Sequence, residues 1–202
     1  MSAELYHGNC LDLMPVIPDK SVDMIFCDLP YGTTQNKWDT IIPFEPLWEQ
    51  YRRVIKDNGA ILLFSSQPFT SRLVLSNTEM FRYEWIWQKT LPRGHLNAKK
   101  MPLRAHENIL VFYKKPPIYN PQMTHGHPRK VARTKYIREA DGEGCYGKEV
   151  RDTSYDSTDR YPLDVQVFGN GDQTKKVHPT QKPVEMLEYF IRTYSTGGGY
   201  HT

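Results

Sequence analysis

Apolar residues in the first 113 positions fall into short unbroken runs that alternate with segments of helical spacing. One run, Val22–Asp28, ends at a carboxylate and is followed by Leu-Pro-Tyr-Gly. An apolar run that stops at a proline and glycine turn predicts a buried strand. Further strands are predicted in the same way at residues 59–65, 83–87 and 109–113. Helices are predicted at residues 44–56, 69–75 and 184–194, where apolar positions recur every three or four residues.

The alternation of strands and helices predicts an α/β fold with a mostly parallel sheet and helices on both faces. Residues 114–176 lose this periodicity and are rich in Pro, Gly, Tyr, Lys, Arg and Asp. A connection of that length is either a functional insertion or disordered. We therefore divide the chain into an α/β part at 1–113, a basic irregular insertion at 114–176, and a returning helix with a tail at 177–202.

Length and composition narrow the class of protein. A chain of 202 residues suits one domain. It contains no apolar stretch of about 18 residues and no signal-peptide pattern, so we expect no membrane association. The three cysteines are widely spaced, which indicates a reduced, cytoplasmic compartment. No CxxC pair is present, and we expect no metal site.

Charge is unevenly distributed along the chain. Residues 89–176 contain 17 lysines and arginines against 10 aspartates and glutamates, whereas the remainder contains 9 against 13. The net charges are +7 and −4, which together give the overall +3. A basic middle segment on an acidic frame suits contact with a polyanion, although an ordinary solvated basic face would look the same.

The residues after the first predicted strand carry the candidate chemistry. In open α/β sheets, ligands bind beyond the carboxyl ends of the strands, which is where Asp28 is expected. A carboxylate only accepts hydrogen bonds, so Asp28 could take one N–H of an amine on an aromatic base while the Leu29 carbonyl takes the other. The nitrogen lone pair would then be free to attack a methyl group. Pro30 would fix the turn, and Tyr31 would offer a flat face for stacking.

Four further segments accompany this turn in a fixed order. They are Gly8-Asn9-Cys10-Leu11-Asp12, Thr-Thr-Gln-Asn-Lys-Trp-Asp at 33–39, His-Glu-Asn-Ile-Leu-Val-Phe at 106–112, and His-Pro-Thr-Gln-Lys-Pro at 178–183. Together with Asp28-Leu29-Pro30-Tyr31, they resemble the DNA amino-methyltransferase family and its circularly permuted beta group, in which the catalytic motif precedes the target-recognition segment.

This resemblance implies a restriction-modification type of enzyme that transfers methyl from S-adenosylmethionine to adenine N6 in double-stranded DNA. The target base would have to flip out of the duplex. Aspartate at position 28 favours adenine over cytosine N4, where the family more often has serine. The implied catalytic residues are Asp28, Leu29, Pro30 and Tyr31. The implied cofactor-binding residues are Asn9, Cys10, Asp28, His178, Thr180, Gln181, Lys182 and Pro183.

The sequence also departs from the family pattern. Leu29 replaces the usual first proline, but only its carbonyl is needed. The family's Phe-x-Gly-x-Gly strand, which holds the methionine half of the donor, is expected after residues 184–194, yet residues 195–202 do not contain it. The resemblance therefore implies an incomplete Rossmann-like methyltransferase sheet and weak or absent donor binding by these residues. It also implies instability, or completion by another chain such as a homodimer partner.

Lysine and arginine pairs in the basic segment are interpreted as contacts to the DNA backbone, which position a protein without reading sequence. The predicted DNA-binding residues are Lys37, Lys99, Lys100, Arg129, Lys130, Lys175 and Lys176. Trp85 and Trp87 alternate on a predicted strand and are interpreted as core. Three alternatives remain open: N4-cytosine specificity, a non-catalytic DNA-binding remnant, and methylation of a protein side-chain amide.

Overall fold

A computed structural model describes residues 4–138, 149–170 and 181–196 of the chain. Within these residues the strands are β1 (Val22–Asp28), β2 (Ile55–Ser65), β3 (Phe81–Arg93), β4 (Arg104–Phe112), β5 (Lys130–Arg138), β6 (Glu149–Ser157) and β7 (Val165–Phe168). The helices are α1 (Cys10–Leu13), α2 (Phe44–Val54), α3 (Phe69–Leu75) and α4 (Val184–Tyr194), with short 3-10 turns at Met14–Val16 and His95–Asn97.

The main sheet has the strand order β1-β2-β4-β3-β7. The outer pairs, β1 with β2 and β3 with β7, are parallel, whereas β4 is antiparallel to both of its neighbours. The α/β class and the mostly parallel sheet are confirmed, because β1, β2, β3 and β7 run in one direction and only β4 of these five strands runs in the other. Strand β4 is reversed because β3 leads directly into it through residues 94–103, and a connection without a crossover helix joins antiparallel strands.

Helices cover both faces of this sheet, as predicted. Successive side chains of a strand point to opposite faces. On β2, Ile61 and Leu63 therefore pack with α2 and α3, whereas Leu62 and Phe64 pack with α4. Helix α2 buries Leu47, Tyr51 and Val54, whose spacing of four and three residues places them on one side. All four of the strand residues named are at most 1% exposed, so β2 forms the centre of the core.

Strand register brings the end of β1 level with inner positions of β3 and β4. Asp28, the last residue of β1, pairs with Phe64 near the end of β2. Because β4 is antiparallel to β2, the next residue of β2 pairs with the early part of β4, where Ser65 lies opposite Asn108. Glu107 is in turn directly opposite Trp87 of β3. The chain positions 28, 87 and 107 therefore meet beyond the carboxyl end of β1.

A second compact unit comprises Pro121–Pro162, while the first comprises Met1–Asn120 and Leu163–Thr202. In the second unit, β5 and β6 form an antiparallel pair whose register runs from Lys130 opposite Ser157 to Arg138 opposite Glu149. The expectation of an irregular insertion is therefore wrong for these strands. They were missed because they lack an apolar alternation, as the 65% exposure of Val131 illustrates. Strand β7 was not predicted from the sequence either, although it belongs to the main sheet.

Candidate active site

The turn after β1 places Asp28 at the edge of a cavity. Its side chain is 37% exposed, whereas the following Leu29 is buried against the core. Gly32 ends the turn with a φ of +65°, a left-handed conformation that favours glycine. A Cβ at that position would lie 2.9 Å from Cγ1 of Ile41. The local sequence thus bends the chain sharply while keeping the Asp28 carboxylate accessible.

The cavity has a volume of about 660 Å³, which is within the range of small-molecule sites. Its wall combines the turn after β1, the facing ends of β3 and β4, and the residues just before α4. The lining residues are Asp28, Leu29, Pro30, Tyr31, Thr33, Thr34, Trp38, Asp39, Trp87, Lys89, Arg93, Glu107, Asn170, Gln181 and Lys182. Aromatic faces and opposite charges therefore converge on one space.

Two lysines and two carboxylates form a buried network on one wall of the cavity. Lys182 Nζ lies 2.8 Å from Glu107 Oε2 and 3.2 Å from Asp28 Oδ1. The other oxygen of Glu107 accepts a short hydrogen bond from Lys89 Nζ. The side chains of Lys182, Glu107 and Lys89 are only 13%, 15% and 11% exposed. These charges are thus largely removed from water. In such a buried environment ion pairs interact more strongly than at the surface.

Tyr31 is part of the same network. Its hydroxyl donates to Asp28 Oδ1 at 3.1 Å and approaches Glu107 Oε2 at 3.4 Å. Its ring stacks on Phe69 with the centroids 5.3 Å apart. The Lys182 ammonium lies 5.7 Å from the Tyr31 ring centroid and 4.7 Å from that of Phe64, so it also makes cation–π contacts.

The two carboxylates of the network respond differently to this environment. Burial raises the pKa of Asp28 above its ordinary value, and the Lys182 ammonium only partly opposes this. Burial acts on Glu107 as well, but Lys182 and Lys89 together hold the pKa of Glu107 below its ordinary value. The difference follows from the number of cations, since Glu107 has two lysine partners. Glu107 is thus the firmly ionised member, and Asp28 the more basic acceptor.

A second carboxylate organises the loop that faces the cavity. Asp39 is 8% exposed and accepts hydrogen bonds from the backbone N–H groups of Gly32, Thr33 and Thr34 at 2.7–2.9 Å. Burial opposes ionisation, but hydrogen bonds from Thr34 and from these backbone groups hold the pKa of Asp39 below its ordinary value. The loop after the turn is thereby tied to one anion, next to the exposed ring of Trp38.

The structure brings together part of the predicted site. Asp28, Leu29, Pro30 and Tyr31 line the cavity with Gln181 and Lys182, and Pro183 lies at the start of α4. Asn9 and Cys10 are not among the lining residues. Asn9 instead caps α1 by accepting from the Leu11 N–H, and Cys10 packs against the core. His178 and Thr180 lie outside the described residues, so their cofactor contacts stay predictions.

The predicted DNA-binding residues are spread over both compact units. Lys37, Lys99 and Lys100 of the first unit are exposed. In the second unit, Arg129 is exposed and forms two hydrogen bonds with the Asp156 carboxylate, at 2.7 and 2.6 Å, and Lys130 begins β5. Lys175 and Lys176 lie outside the described residues.

Sequence reasoning missed several residues of the cavity, above all Glu107, Lys89 and Trp87. Trp87 was interpreted as core, and it is 4% exposed, yet it also lines the cavity. The spacing of Trp87 and Lys89 by two residues was a usable signal, because it places both on one side of β3. The link from Glu107 to Lys182 had no such signal, since 75 residues separate them in the chain.

The sequence profile of the family described as DNA methylase matches residues 22–200, and the chain belongs to this family. Among curated relatives, the type II methyltransferase M.BglII of Bacillus subtilis is 29% identical over 93% of this chain and 55% of its own length. The chain thus spans about half of that relative.

Two solved structures share the fold. The PvuII DNA methyltransferase, described as cytosine-N4-specific, has a TM-score of 0.59 at 13% identity, covering 94% of this chain and 69% of its own. M1.HpyAVI in complex with SAM has a TM-score of 0.54 at 18% identity, with coverages of 94% and 76%.

No helix in the described part of this chain is long and apolar enough to span a membrane. Residues 4–138, 149–170 and 181–196 contain no cluster of three potential metal ligands.

Proposed function

We propose that the protein containing this chain transfers a methyl group from S-adenosylmethionine to N6 of adenine at a specific site in DNA, as a cytoplasmic restriction-modification methyltransferase. The observation that carries the proposal is the Asp28 carboxylate at the end of β1, aimed into a cavity that also contains Leu29, Pro30 and Tyr31. Membership of the DNA methylase family supports it.

The reaction depends on positioning of the target amine. Asp28 accepts one N–H of the exocyclic amine and the Leu29 carbonyl accepts the other, which rotates the nitrogen lone pair out of conjugation with the ring. Pro30 limits motion of that carbonyl because its ring fixes the backbone angle φ. Holding the nitrogen in line with the methyl group accounts for most of the rate enhancement, and no strong general base is required.

The target base has to leave the duplex before its amine can reach Asp28. The cavity suits a flipped base, because the rings of Tyr31 and Trp87 line it together with polar groups. One face of Tyr31 already stacks on Phe69, so a base would meet the ring from the cavity side. Stacking of this kind contributes about 1–3 kcal/mol per base.

The residues at the cavity also fit the chemistry of the proposed cofactor. S-adenosylmethionine, when bound, supplies an electrophilic methyl group on a sulfonium cation. Aromatic faces suit such a cation, and the ring of Trp87 lines the cavity. Gln181 and Lys182 lie on the same wall and would contact the donor. The remaining assignments, to Asn9, Cys10, His178 and Thr180, are proposed from the family resemblance.

Exposed cations of the first unit are proposed to hold the DNA backbone. The segment from Lys89 to Arg104, with both ends included, contains five lysines and arginines and no acidic residue. Lys99 and Lys100 are exposed on this segment, while Arg93 lines the cavity itself. The segment thus connects the site of chemistry with a surface suited to phosphates. The second unit, together with Lys175 and Lys176, is proposed to contact the target as well.

Transfer of a tritium-labelled methyl group from S-adenosylmethionine to DNA, followed by digestion to nucleosides, tests the proposal. We expect label in N6-methyladenine. Label in N4-methylcytosine would correct the base, and label in added protein would assign a side-chain amide as substrate. DNA binding without any transfer, measured on the full-length protein, would identify a non-catalytic DNA-binding protein and contradict the proposed activity.

A further inference from the structure

The ammonium of Lys182 contacts one oxygen of the carboxylate that the proposed reaction uses as an acceptor. It is 3.2 Å from Asp28 Oδ1, and the Tyr31 hydroxyl donates to the same oxygen at 3.1 Å. A carboxylate oxygen has only two lone-pair directions in the carboxylate plane, so an ion pair with Lys182 and a hydrogen bond from Tyr31 already engage Oδ1. An incoming amine that approaches Oδ1 therefore competes with groups of the protein itself for that oxygen.

Glu107 offers Lys182 a place to remain when that competition is lost. The distance from Lys182 Nζ to Glu107 Oε2 is 2.8 Å, which is shorter than the distance to Asp28. A small displacement can break the contact with Asp28 while the contact with Glu107 persists. The ammonium is then never a lone buried charge, which would be costly. The Phe64 ring, 4.7 Å away, gives further cation–π attraction to the ammonium.

We propose that Lys182 is a positioning residue that occupies the Asp28 carboxylate until the target amine arrives and is then held by Glu107. This inference rests on the proposed function, because it concerns the acceptor that the amine uses. It assigns Glu107 a role as well, since Glu107 is the second carboxylate that lets Lys182 move without leaving its environment.

The arrangement has a consequence for ionisation of Asp28. The groups that face this carboxyl are Lys182 from the segment before α4, Tyr31 from the turn, and Glu107 from β4. Burial and Glu107 favour the protonated form of Asp28, while Lys182 and Tyr31 favour the ionised form. Lys182 is the one cation in this set. Removing its charge should therefore raise the pKa of Asp28, so that the carboxyl stays protonated to a higher pH.

Lys89 provides a matched control for this experiment. It is as buried as Lys182 and pairs with the same Glu107, but it does not contact Asp28. The Asp28 carboxyl is titrated by carbon-13 NMR in the wild type, in Lys182→Met and in Lys89→Met. We expect Lys182→Met to raise the pKa of Asp28 by about one unit or more, as removal of an opposite charge at this distance does. We expect Lys89→Met to leave it nearly unchanged.

The same variants are then assayed for methyl transfer to DNA across pH. The acidic limb of kcat/KM should move to higher pH in Lys182→Met together with the NMR titration, and should not move in Lys89→Met. Unchanged ionisation of Asp28 in Lys182→Met would overturn the proposal, as would a shifted titration with an unshifted acidic limb. Lys182→Gln, which also removes the charge, replaces the methionine variant if that variant does not fold.

A wild type that transfers no methyl group to any DNA would refute the proposed function and, with it, the role of Lys182 in substrate exchange. That outcome is distinguishable from a failure of the inference alone, because the carboxyl titration is read without turnover. If Lys182 had only a structural role, Lys182→Met and Lys182→Gln would lower the melting temperature without moving the titration of Asp28.

Discussion

The molecule contains two ion pairs of similar geometry in opposite surroundings. Lys182 and Glu107 lie 2.8 Å apart with side chains 13% and 15% exposed. Arg129 and Asp156 of the second unit lie 2.6 Å apart with side chains 68% and 51% exposed. Judged by distance alone, the two ion pairs would be expected to have similar strength. Burial separates them, because water screens the exposed pair and has largely been removed from the other.

The difference shows what each region can do. In the buried network, a neighbour's charge changes protonation, as the opposite directions of the Asp28 and Glu107 pKa values show. In the exposed pair, each charge remains available to solvent, salt and a polyanion. The cavity is therefore suited to chemistry that depends on fixed charge, and the exposed cations are suited to salt-dependent binding.

The largest effect is expected for Asp28→Ala. This change removes the proposed acceptor of the target amine, so methyl transfer should fall by at least about 100-fold, as expected when the reacting group is no longer positioned. DNA affinity should change little, because the residues proposed to contact phosphates lie elsewhere. Labelled methyl transfer and fluorescence anisotropy with duplex DNA measure the two properties. Near-normal transfer by this variant would remove Asp28 from the mechanism.

The next effect concerns stability rather than activity. Glu107→Gln leaves Lys89 and Lys182 buried without their shared carboxylate, and removing one partner of a buried pair costs about 3–5 kcal/mol. We expect the free energy of unfolding at pH 7 to fall by about 3 kcal/mol in urea denaturation. Lys89→Met in the Glu107→Gln background should recover part of the loss, since Lys89 loses its carboxylate partner in that background whereas Lys182 keeps Asp28. A change no larger than that of an exposed pair would contradict the contrast between the regions.

The pH dependence of stability should follow from the same network. The folded-state pKa of Glu107 lies below its ordinary value of 4.5, so its contribution is present above that value and is lost as pH falls through the folded-state pKa. The pKa of Asp28 is raised in the folded state, so its dependence on pH is the reverse. Its contribution to stability is present below the ordinary value of 3.8, where the carboxyl is protonated, and is lost as pH rises above that value. Urea titrations between pH 3 and 7 should show acid destabilisation that is weaker in Glu107→Gln than in the wild type.

These residues also show how far the sequence could predict the structure. The strand ending at Asp28 and helices α2, α3 and α4 followed from apolar periodicity, because each buries one continuous side. The antiparallel direction of β4 did not, since periodicity reports burial and not strand direction. The hairpin of β5 and β6 has no apolar stripe and gave no signal. The turn motif predicts Asp28 as the acceptor, and that role stays a prediction; the contacts between residues 28, 107 and 182 depend on tertiary folding.

A smaller effect is expected at Asp39. Asp39→Ala removes the acceptor of three backbone N–H groups in the loop after the turn. Water can replace part of these hydrogen bonds, so a loss of about 2 kcal/mol is expected rather than the full sum. Hydrogen exchange of Gly32, Thr33 and Thr34 should accelerate, while exchange in β2 stays slow. Asp39→Asn should give an intermediate effect, because its single side-chain oxygen can replace only one of the two carboxylate oxygens that accept these N–H groups. Unaltered exchange in the alanine variant would show that the carboxylate does not hold the loop.

The smallest effect on stability is expected at the exposed pair. Arg129→Gln should leave the midpoint of urea denaturation unchanged, because a solvent-exposed ion pair contributes little to folding. If Arg129 binds a phosphate, the same variant should lower the slope of log affinity against log salt by about 0.9. Asp156→Asn frees Arg129 from its intramolecular partner and should leave that slope intact while strengthening binding to all DNA sequences alike. A shifted urea midpoint with an unchanged salt slope would mean that this ion pair stabilises the fold of the second unit and does not contribute to DNA binding.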